Sequence, residues 1–304
     1  MAKHRAFPSI AVRFDKNAVM LFSRKDGTKM RFSVGPYTKA SKPELVDIKI
    51  SGYCSYGCKF CYQASTLQGK HADMEDVRFV VKELTKAKVA EVAIGGGETL
   101  EFPHIIETFK LFKDAGIVPN FTTKFPGLVR KHWKELEPLI GGFAYSAENA
   151  AQIRSAAKLF RNIPNRFVNL HYVMGLGDRE HFREYLMAAA EVGYRVTLLG
   201  YKTTGFGKNV IPFPYDWWVD EVESLVKQDL SPTLSIDTPL AAQFEGKMPI
   251  EKHQYHTREG AYSMYIDISE MKFGASSFDG DDKLYPFTKD WRKLYRKKSF
   301  TQEG

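Results

Sequence analysis

The chain has 304 residues, 43% of them hydrophobic and 26% charged, with 44 Lys and Arg against 36 Asp and Glu for a net charge of +8. That composition excludes a disordered or fibrous chain and leaves apolar material for a sizeable core, so one main domain with appendages is expected. No apolar run reaches the roughly 18 residues of a membrane span, and the start, Met1 to Pro8, lacks the apolar stretch of a secretory signal, so a cytoplasmic protein without membrane association is expected.

Residues 1–43 hold no motif. Ile10 to Phe14, Ala18 to Ser23 and Lys29 to Val34 have strand character, and Asp26-Gly27 reads as a hairpin turn. This small antiparallel sheet either covers one end of the main domain or binds a partner. From Glu44 onward strands and helices alternate, which argues for parallel strands joined by crossover helices. The strands are Leu45 to Ser51, Glu91 to Ile94, Val118 to Thr122, Gly142 to Tyr145, Arg166 to Val173 and Arg195 to Gly200. The helices between them are Met74 to Lys86, Pro103 to Ala115, Val129 to Leu136, Glu148 to Phe160 and Asp178 to Val192. Six such units fit a partial (β/α)6 TIM-like barrel of the α/β class. Beyond Lys202 the pattern changes to a glycine-containing loop, Thr203 to Asn209, a helix, Tyr215 to Gln228, and short strands at Thr233 to Asp237 and Tyr262 to Ile268. Phe273 to Pro286 reads as a loop-rich closing segment, and Lys289 to Lys298 as a basic helix with a solvated face. The expected division is an N-terminal β extension at 1–43, a barrel core at 44–202 and a C-terminal extension closing the barrel at 203–304.

All three cysteines, Cys54, Cys58 and Cys61, lie on the loop after the first barrel strand. A disulfide would pair two and orphan the third, whereas thiolates on so tight a loop suit a metal centre. A zinc site needs a fourth ligand, for which His71 is the nearest candidate, while an iron-sulfur cluster held by three cysteines keeps one iron open for another ligand.

Cys54, Cys58 and Cys61 match the CxxxCxxC signature of the radical S-adenosylmethionine (radical SAM) superfamily, with Phe60 before the last cysteine as that pattern prefers. Val92 to Glu98 resembles its second signature, a Gly-Gly-Glu at the end of the next strand. The resemblance runs from Glu44 to Lys202 in element order. It implies a partial barrel, a 4Fe-4S cluster on the three cysteines, and S-adenosylmethionine chelated to the open iron by its amino and carboxylate groups. It also implies reductive cleavage to a 5'-deoxyadenosyl radical that abstracts hydrogen from substrate, fed by a reductant such as flavodoxin or ferredoxin. The cofactors carry that chemistry while the protein positions them and excludes water. With every cysteine on one loop no second Cys-ligated cluster is expected, so the chain resembles a single-cluster member without the SPASM or twitch extension. Ser276 and Ser277 stand where many relatives carry a further cysteine.

The candidate cofactor-binding residues are Phe60, Gly96, Gly97, Glu98, Ser146, Glu148, Val173 and Tyr201. The glycines let backbone approach the methionine moiety and Glu98 accepts from its ammonium. Ser146 and Glu148 face the ribose and carboxylate by resemblance, although Ser146 or Asn149 equally caps the next helix. Lys124 is a candidate for the methionine carboxylate, and Val173, Met174 and Tyr201 for adenine. His171 on an otherwise apolar strand reads as a core histidine, with a rim position as the alternative. No residue is assigned a catalytic role. The substrate is an unidentified metabolite, nucleotide or peptide; the net charge suits an anionic one but more simply serves solubility, and a peptide leader suits strand addition to the N-terminal sheet. The alternatives are a zinc or iron-sulfur binding module using His71, and a nucleic-acid-binding protein using the basic run.

Overall fold

The computed structural model describes residues 8–35, 38–248, 251, 255–297 and 300. The first seven residues of the expected signal-free start and Lys298 of the basic run lie outside the described residues. Strands β1 (Ile10–Asp15), β2 (Ala18–Ser23) and β3 (Lys29–Ser33) form the expected antiparallel meander. Its second turn carries Gly27 at φ +75°, where the Thr28 amide donates to the Asp26 carboxylate (3.0 Å). One face buries Met20 and Phe22 against Ala90 and Val118. Arg13 donates to the Pro43 carbonyl (2.8 Å) and the Glu44 carboxylate (3.2 Å), and Lys29 pairs with Glu91 at 2.7 Å. These contacts fall at the N-terminal ends of the barrel strands, so the meander covers the barrel floor.

The core alternates β4 (Leu45–Ser51), α1 (Met74–Ala87), β5 (Glu91–Gly96), α2 (Ile105–Asp114), β6 (Val118–Thr123), α3 (Pro126–Leu136), β7 (Gly142–Tyr145), α4 (Ala150–Leu159), β8 (Val168–Val173), α5 (Arg179–Val192) and β9 (Arg195–Leu199). The strands pair in parallel in sequence order, as a right-handed βα succession requires. Caps fix the helix ends: Asp73, Asn149 and Asp178 accept from amides of the first turns of α1, α4 and α5, and Gly193 ends α5 at φ +72°. Asn149 is therefore the cap that shortens the expected helix from Glu148. Arg166 and Phe167, expected in a strand, lie in a 3-10 turn (Asn165–Phe167) behind Pro164.

Beyond Lys202 the chain returns to the same sheet. After α6 (Trp218–Lys227), β10 (Leu234–Ile236) adds in parallel to β9, and α7 (Thr238–Gln243) follows on an Asp237 cap. Strand β11 (Ser263–Asp267) adds in parallel to β4 on the opposite edge, continued antiparallel by β12 (Lys272–Gly274) and β13 (Tyr285–Pro286). The parallel run thus extends past six strands on both sides. The closing segment, expected as loop, supplies β12 and β13, which are too short to print a two-residue period in the sequence. The basic run yields only a five-residue helix, α8 (Trp291–Tyr295), whose Trp291 and Tyr295 are fully buried while Lys293 is solvated.

The core lies between the sheet and its helices, where Phe109 of α2 packs on Phe121 of β6 with ring centroids 5.3 Å apart. Phe109→Ala is expected to lower unfolding free energy by about 3–5 kcal/mol, read from chemical denaturation midpoints.

Candidate active site

Alternate residues of a barrel strand point outward to the helices and inward to the lumen. In β4, Val46, Ile48 and Ile50 are buried outward, which turns Leu45, Asp47 and Lys49 inward. In β8, Val168, Leu170 and Tyr172 are buried outward, with Tyr172 against Phe182 and Tyr185, so Asn169, His171 and Val173 face in. The lumen is consequently polar. Asn169 donates to Thr197 (2.8 Å), Thr197 meets Ser235 (2.8 Å), and Lys49 pairs with Asp267 at 3.0 Å. A cavity of about 900 Å³ opens along this face, from Asp47 and His171 in the strands to the three cysteines at the mouth.

The mouth is built by backbone. Gly96 takes φ +111°, a conformation that side chains other than glycine's rarely adopt. Gly97 approaches the Tyr53 carbonyl so closely that a Cβ there has no room. The Gly97 amide donates to Ser51 (2.6 Å) and the Glu98 amide to Tyr53 (3.0 Å), which stitches the glycine turn to the cysteine loop. Glu98 is 2% exposed, and its carboxylate accepts from the Thr123 hydroxyl (2.6 Å), the Lys124 amide (2.8 Å) and the Leu100 amide (3.1 Å). Burial raises its pKa against those donors. Two further braces hold the cysteine loop. Glu101 accepts from the Ser55 amide (3.0 Å), and the Phe206 amide, in the 3-10 turn Gly205–Asn209, donates to the Cys61 carbonyl (2.8 Å).

Cys54, Cys58, Cys61, Phe60, Gly96, Gly97, Glu98, Ser146, Glu148, Val173 and Tyr201 all line this one cavity. Lys124 is engaged by Glu148 at 2.8 Å and lies 4.9 Å from the Tyr56 ring centroid and 5.5 Å from that of Phe60. Burial alone raises the Glu148 carboxyl, but the Lys124 ammonium and the Tyr56 hydroxyl hold it below its ordinary value. The Tyr201 hydroxyl donates to the Gly207 carbonyl (2.8 Å), so this residue anchors the loop that braces Cys61. The Ser146 amide donates to the Thr123 carbonyl (3.0 Å). Met174 is fully buried and does not line the cavity.

His71 does not join the cysteines. Its Nδ1 meets the Ser51 hydroxyl at 2.9 Å and its ring packs between Tyr53 and Phe102, off the cavity that the three cysteines line. Among the described residues no three His, Cys, Asp or Glu side chains are arranged for a single metal ion. A cluster offers a separate iron to each thiolate, so three thiols spread along one cavity wall fit it better than they fit zinc. Burial pushes the Cys54 thiol up and Cys58 to about 11, with Lys124 opposing at Cys58, so metal binding here displaces protons.

Several lining residues escaped the sequence reading. His171, expected in the core, faces the cavity, and burial and the Lys202 charge hold it neutral down to about 4. Lys202 pairs with Asp237 at 3.4 Å, with its ammonium 4.9 Å from the Tyr62 ring centroid. Burial, then the Asp47 charge, pushes the Glu259 carboxyl up to about 8, and burial pushes Asp47 to about 6. The alternation in Leu-Val-Asp-Ile-Lys-Ile-Ser, 45–51, carried the signal for Asp47. Glu259 follows residues 252–254, which lie outside the described set, and no pattern marked it.

An open parallel barrel with a three-thiol loop after its first strand defines enzymes that mount an iron-sulfur cluster over the barrel mouth. The chain belongs to the radical SAM superfamily, whose sequence profile matches residues 48–201. Its members take a 4Fe-4S cluster and S-adenosylmethionine, and use a reductant and a substrate. The fold is similar to Streptococcus suis SuiB bound to S-adenosylmethionine, with TM-score 0.71, 15% identity, 96% of this chain covered and 88% of that chain. SuiB bound to the precursor peptide SuiA matches at TM-score 0.69 and 14% identity, with the same coverage of 96% and 88%. No curated protein matches the chain. Among the described residues no helix is long and apolar enough to cross a membrane.

Gly97→Ala is expected to cost about 1–3 kcal/mol by forcing the Tyr53 carbonyl aside, and to lower bound iron after reconstitution, both measured on the purified variant. Titration of the cavity gives a second expectation. The folded state keeps the Glu259 proton that the unfolded state, at 4.5, has already released, so its contribution falls as pH rises through that window to about 8. His171 acts with the opposite sign between about 4 and 6.5. The net loss of thermal stability in the metal-free protein is therefore clearest from 6.5 to about 8, and Glu259→Gln should flatten it.

Proposed function

We propose that the chain cleaves S-adenosylmethionine reductively and directs the resulting 5'-deoxyadenosyl radical at a hydrogen of a substrate held in the barrel lumen. The observation that carries this reading is the single cavity that joins all three cysteines to the polar lumen. In it Cys54, Cys58 and Cys61 hold the 4Fe-4S cluster, which when bound supplies the electron for sulfonium cleavage. The remaining assignments concern the chain's own groups. The backbone of Gly96 and Gly97 forms a wall without side chains. Three donors already engage Glu98, which leaves its Oε2 one lone pair for the ammonium of S-adenosylmethionine. Lys124 and Glu148 offer one charge of each sign to the methionine and ribose groups, and Ser146, Val173, Tyr201 and Phe60 complete the pocket.

Residues 44–202 form the catalytic core in this reading, residues 1–43 its floor, and residues 203–304 the wall that carries Asp237, Glu259 and Phe278. The donor of electrons is a flavodoxin or ferredoxin, and the compartment is the cytoplasm. A peptide substrate is supported by the outer face of the N-terminal sheet, where Val12, Phe14, Met30 and Phe32 are 53, 79, 50 and 56% exposed. The similar fold of SuiB, seen with its precursor peptide, supports the same choice.

Anaerobic reconstitution with iron and sulfide, then dithionite and S-adenosylmethionine, is expected to yield 5'-deoxyadenosine by chromatography. Cys54→Ala, Cys58→Ala or Cys61→Ala should each abolish it together with cluster absorbance. Stoichiometric zinc with no cluster would instead establish a binding module. Glu98→Gln keeps the shape but removes the charge and turns one acceptor oxygen into an NH2 donor, so S-adenosylmethionine affinity should drop about tenfold with iron content retained; an unchanged affinity removes Glu98 from the ligand set.

A further inference from the structure

We infer that the lumen binds a cationic group of the substrate, a protonated amine or guanidinium, with the carboxylates of Asp47 and Glu259 as its counter-charges. This inference rests on the lumen being the substrate site of the proposed radical enzyme.

The cavity wall carries more acidic than basic side chains. Its cations are Lys29, Arg31, Lys124 and Lys202, and each already has an acid: Glu91 at 2.7 Å, Glu44, Glu148 at 2.8 Å and Asp237 at 3.4 Å. Of the lining carboxylates, Glu44 is held by Arg13 and Arg31, Glu98 by three donors, Glu148 by Lys124 and Asp237 by Lys202. Asp47 and Glu259 are left over. Among the described residues Asp47 has neither an ion-pair partner nor a hydrogen-bond donor, and Glu259 has only the Thr238 hydroxyl. The Asp47 charge acts on Glu259 and the Lys202 ammonium acts on both, so one ammonium, already paired with Asp237, faces three carboxyl groups in one region of the lumen. His171 beside them stays neutral and supplies no compensation.

An orphaned acceptor points the same way. Gln63 Oε1 is shut off from solvent without a hydrogen-bond donor, and Gln63 lines the cavity. The other side-chain nitrogens without a partner among the described residues, on Arg13, Trp218 and Trp291, do not line it. A lumen whose carboxyl groups outnumber its ammonium and guanidinium groups is complementary to a ligand that brings charged N–H groups. Leaving a buried acceptor or carboxylate unmatched costs stability, which a folded protein tolerates where a ligand supplies the match. Tyr62 and Phe278, whose rings flank the Lys202 ammonium at 4.9 and 5.4 Å, show that the aromatic wall already accommodates a cation.

The test is calorimetric titration of the cluster-loaded full chain with agmatine, with an end-capped Ala-Arg-Ala peptide, and with that peptide carrying citrulline or glutamate in place of arginine. The arginine peptide or agmatine should bind at least about tenfold tighter than the citrulline peptide, and Asp47→Asn with Glu259→Gln should erase that preference. Preference for agmatine identifies a free amine or guanidine as ligand, and preference for the peptide a basic side chain. Equal affinity for arginine and citrulline peptides, tighter binding of the glutamate peptide, no binding of either cation, or a preference that survives the double variant would overturn the inference. The thermal midpoint of the double variant separates a ligand role from a structural one. Removal of the unmatched Asp47 charge and of the buried, protonated Glu259 acid should hold or raise it, and a fall that accompanies lost binding assigns the two groups to the fold and overturns the inference too. Formation of 5'-deoxyadenosine by the wild type without any probe reports the radical reading separately, so either conclusion can fail alone.

Discussion

Glu98 joins the ends of three neighbouring strands, because its backbone N–H donates to Tyr53 beyond β4 while its carboxylate oxygens accept from Thr123 and Lys124 at the end of β6. The loop that carries the cysteines has little regular structure of its own, so its course depends on such ties. Gly97 makes the tie possible, since only a residue without Cβ brings the β5 backbone against the Tyr53 carbonyl. Glu101 and the turn at Gly205–Asn209 complete the support from two further directions. These ties position the thiols, and a site whose supporting groups are fixed by the fold loses less ordering entropy when its cofactors bind.

A closed β/α barrel usually fills its interior with layers of branched aliphatic residues. This one places Asp47, Asn120, His171 and Thr197 inward and keeps its large apolar side chains for the sheet–helix layer, where Phe109, Tyr185 and Leu186 are fully buried. The division has an energetic consequence. Cohesion comes from outside the strands, so the inside is free to carry groups that oppose folding. Most of those groups are matched within the lumen, as Asn169 is by Thr197 and Lys49 by Asp267. The unmatched ones concentrate below the cysteine loop, where strain and desolvation are commonly retained for function.

The order of strands, the cysteine loop and the glycine turn were legible because each is local. A run such as Leu45 to Ser51 declares its period within seven residues, and a three-cysteine spacing needs no partner elsewhere. The eleven residues singled out at strand ends converge for the same reason, since parallel strands present all their C-terminal loops on one rim. What stayed hidden depends on distance in sequence. Strand β11 lies beside β4 although more than two hundred residues separate them, and β12 and β13 are too short to announce themselves. His71 looked like a fourth ligand by proximity along the chain, whereas folding spends it on Ser51 and two rings. The paired state of Lys124 was equally invisible, because Glu148 reaches it from a different strand end.

Net charge and cavity charge differ in sign for a physical reason. The chain carries +8 overall, yet its cavity wall holds more carboxylates than cations. The two statements concern different dielectrics. Exposed lysines act through water, where salt screens them within about 8–10 Å, and so they shape solubility and encounter rates. Groups in the lumen act across a few ångströms of low-dielectric interior, where one unmatched carboxylate outweighs many distant ammonium groups. Recognition in such a cavity is set by the local imbalance at Asp47 and Glu259, while the basic exterior governs which molecules approach the mouth in the first place.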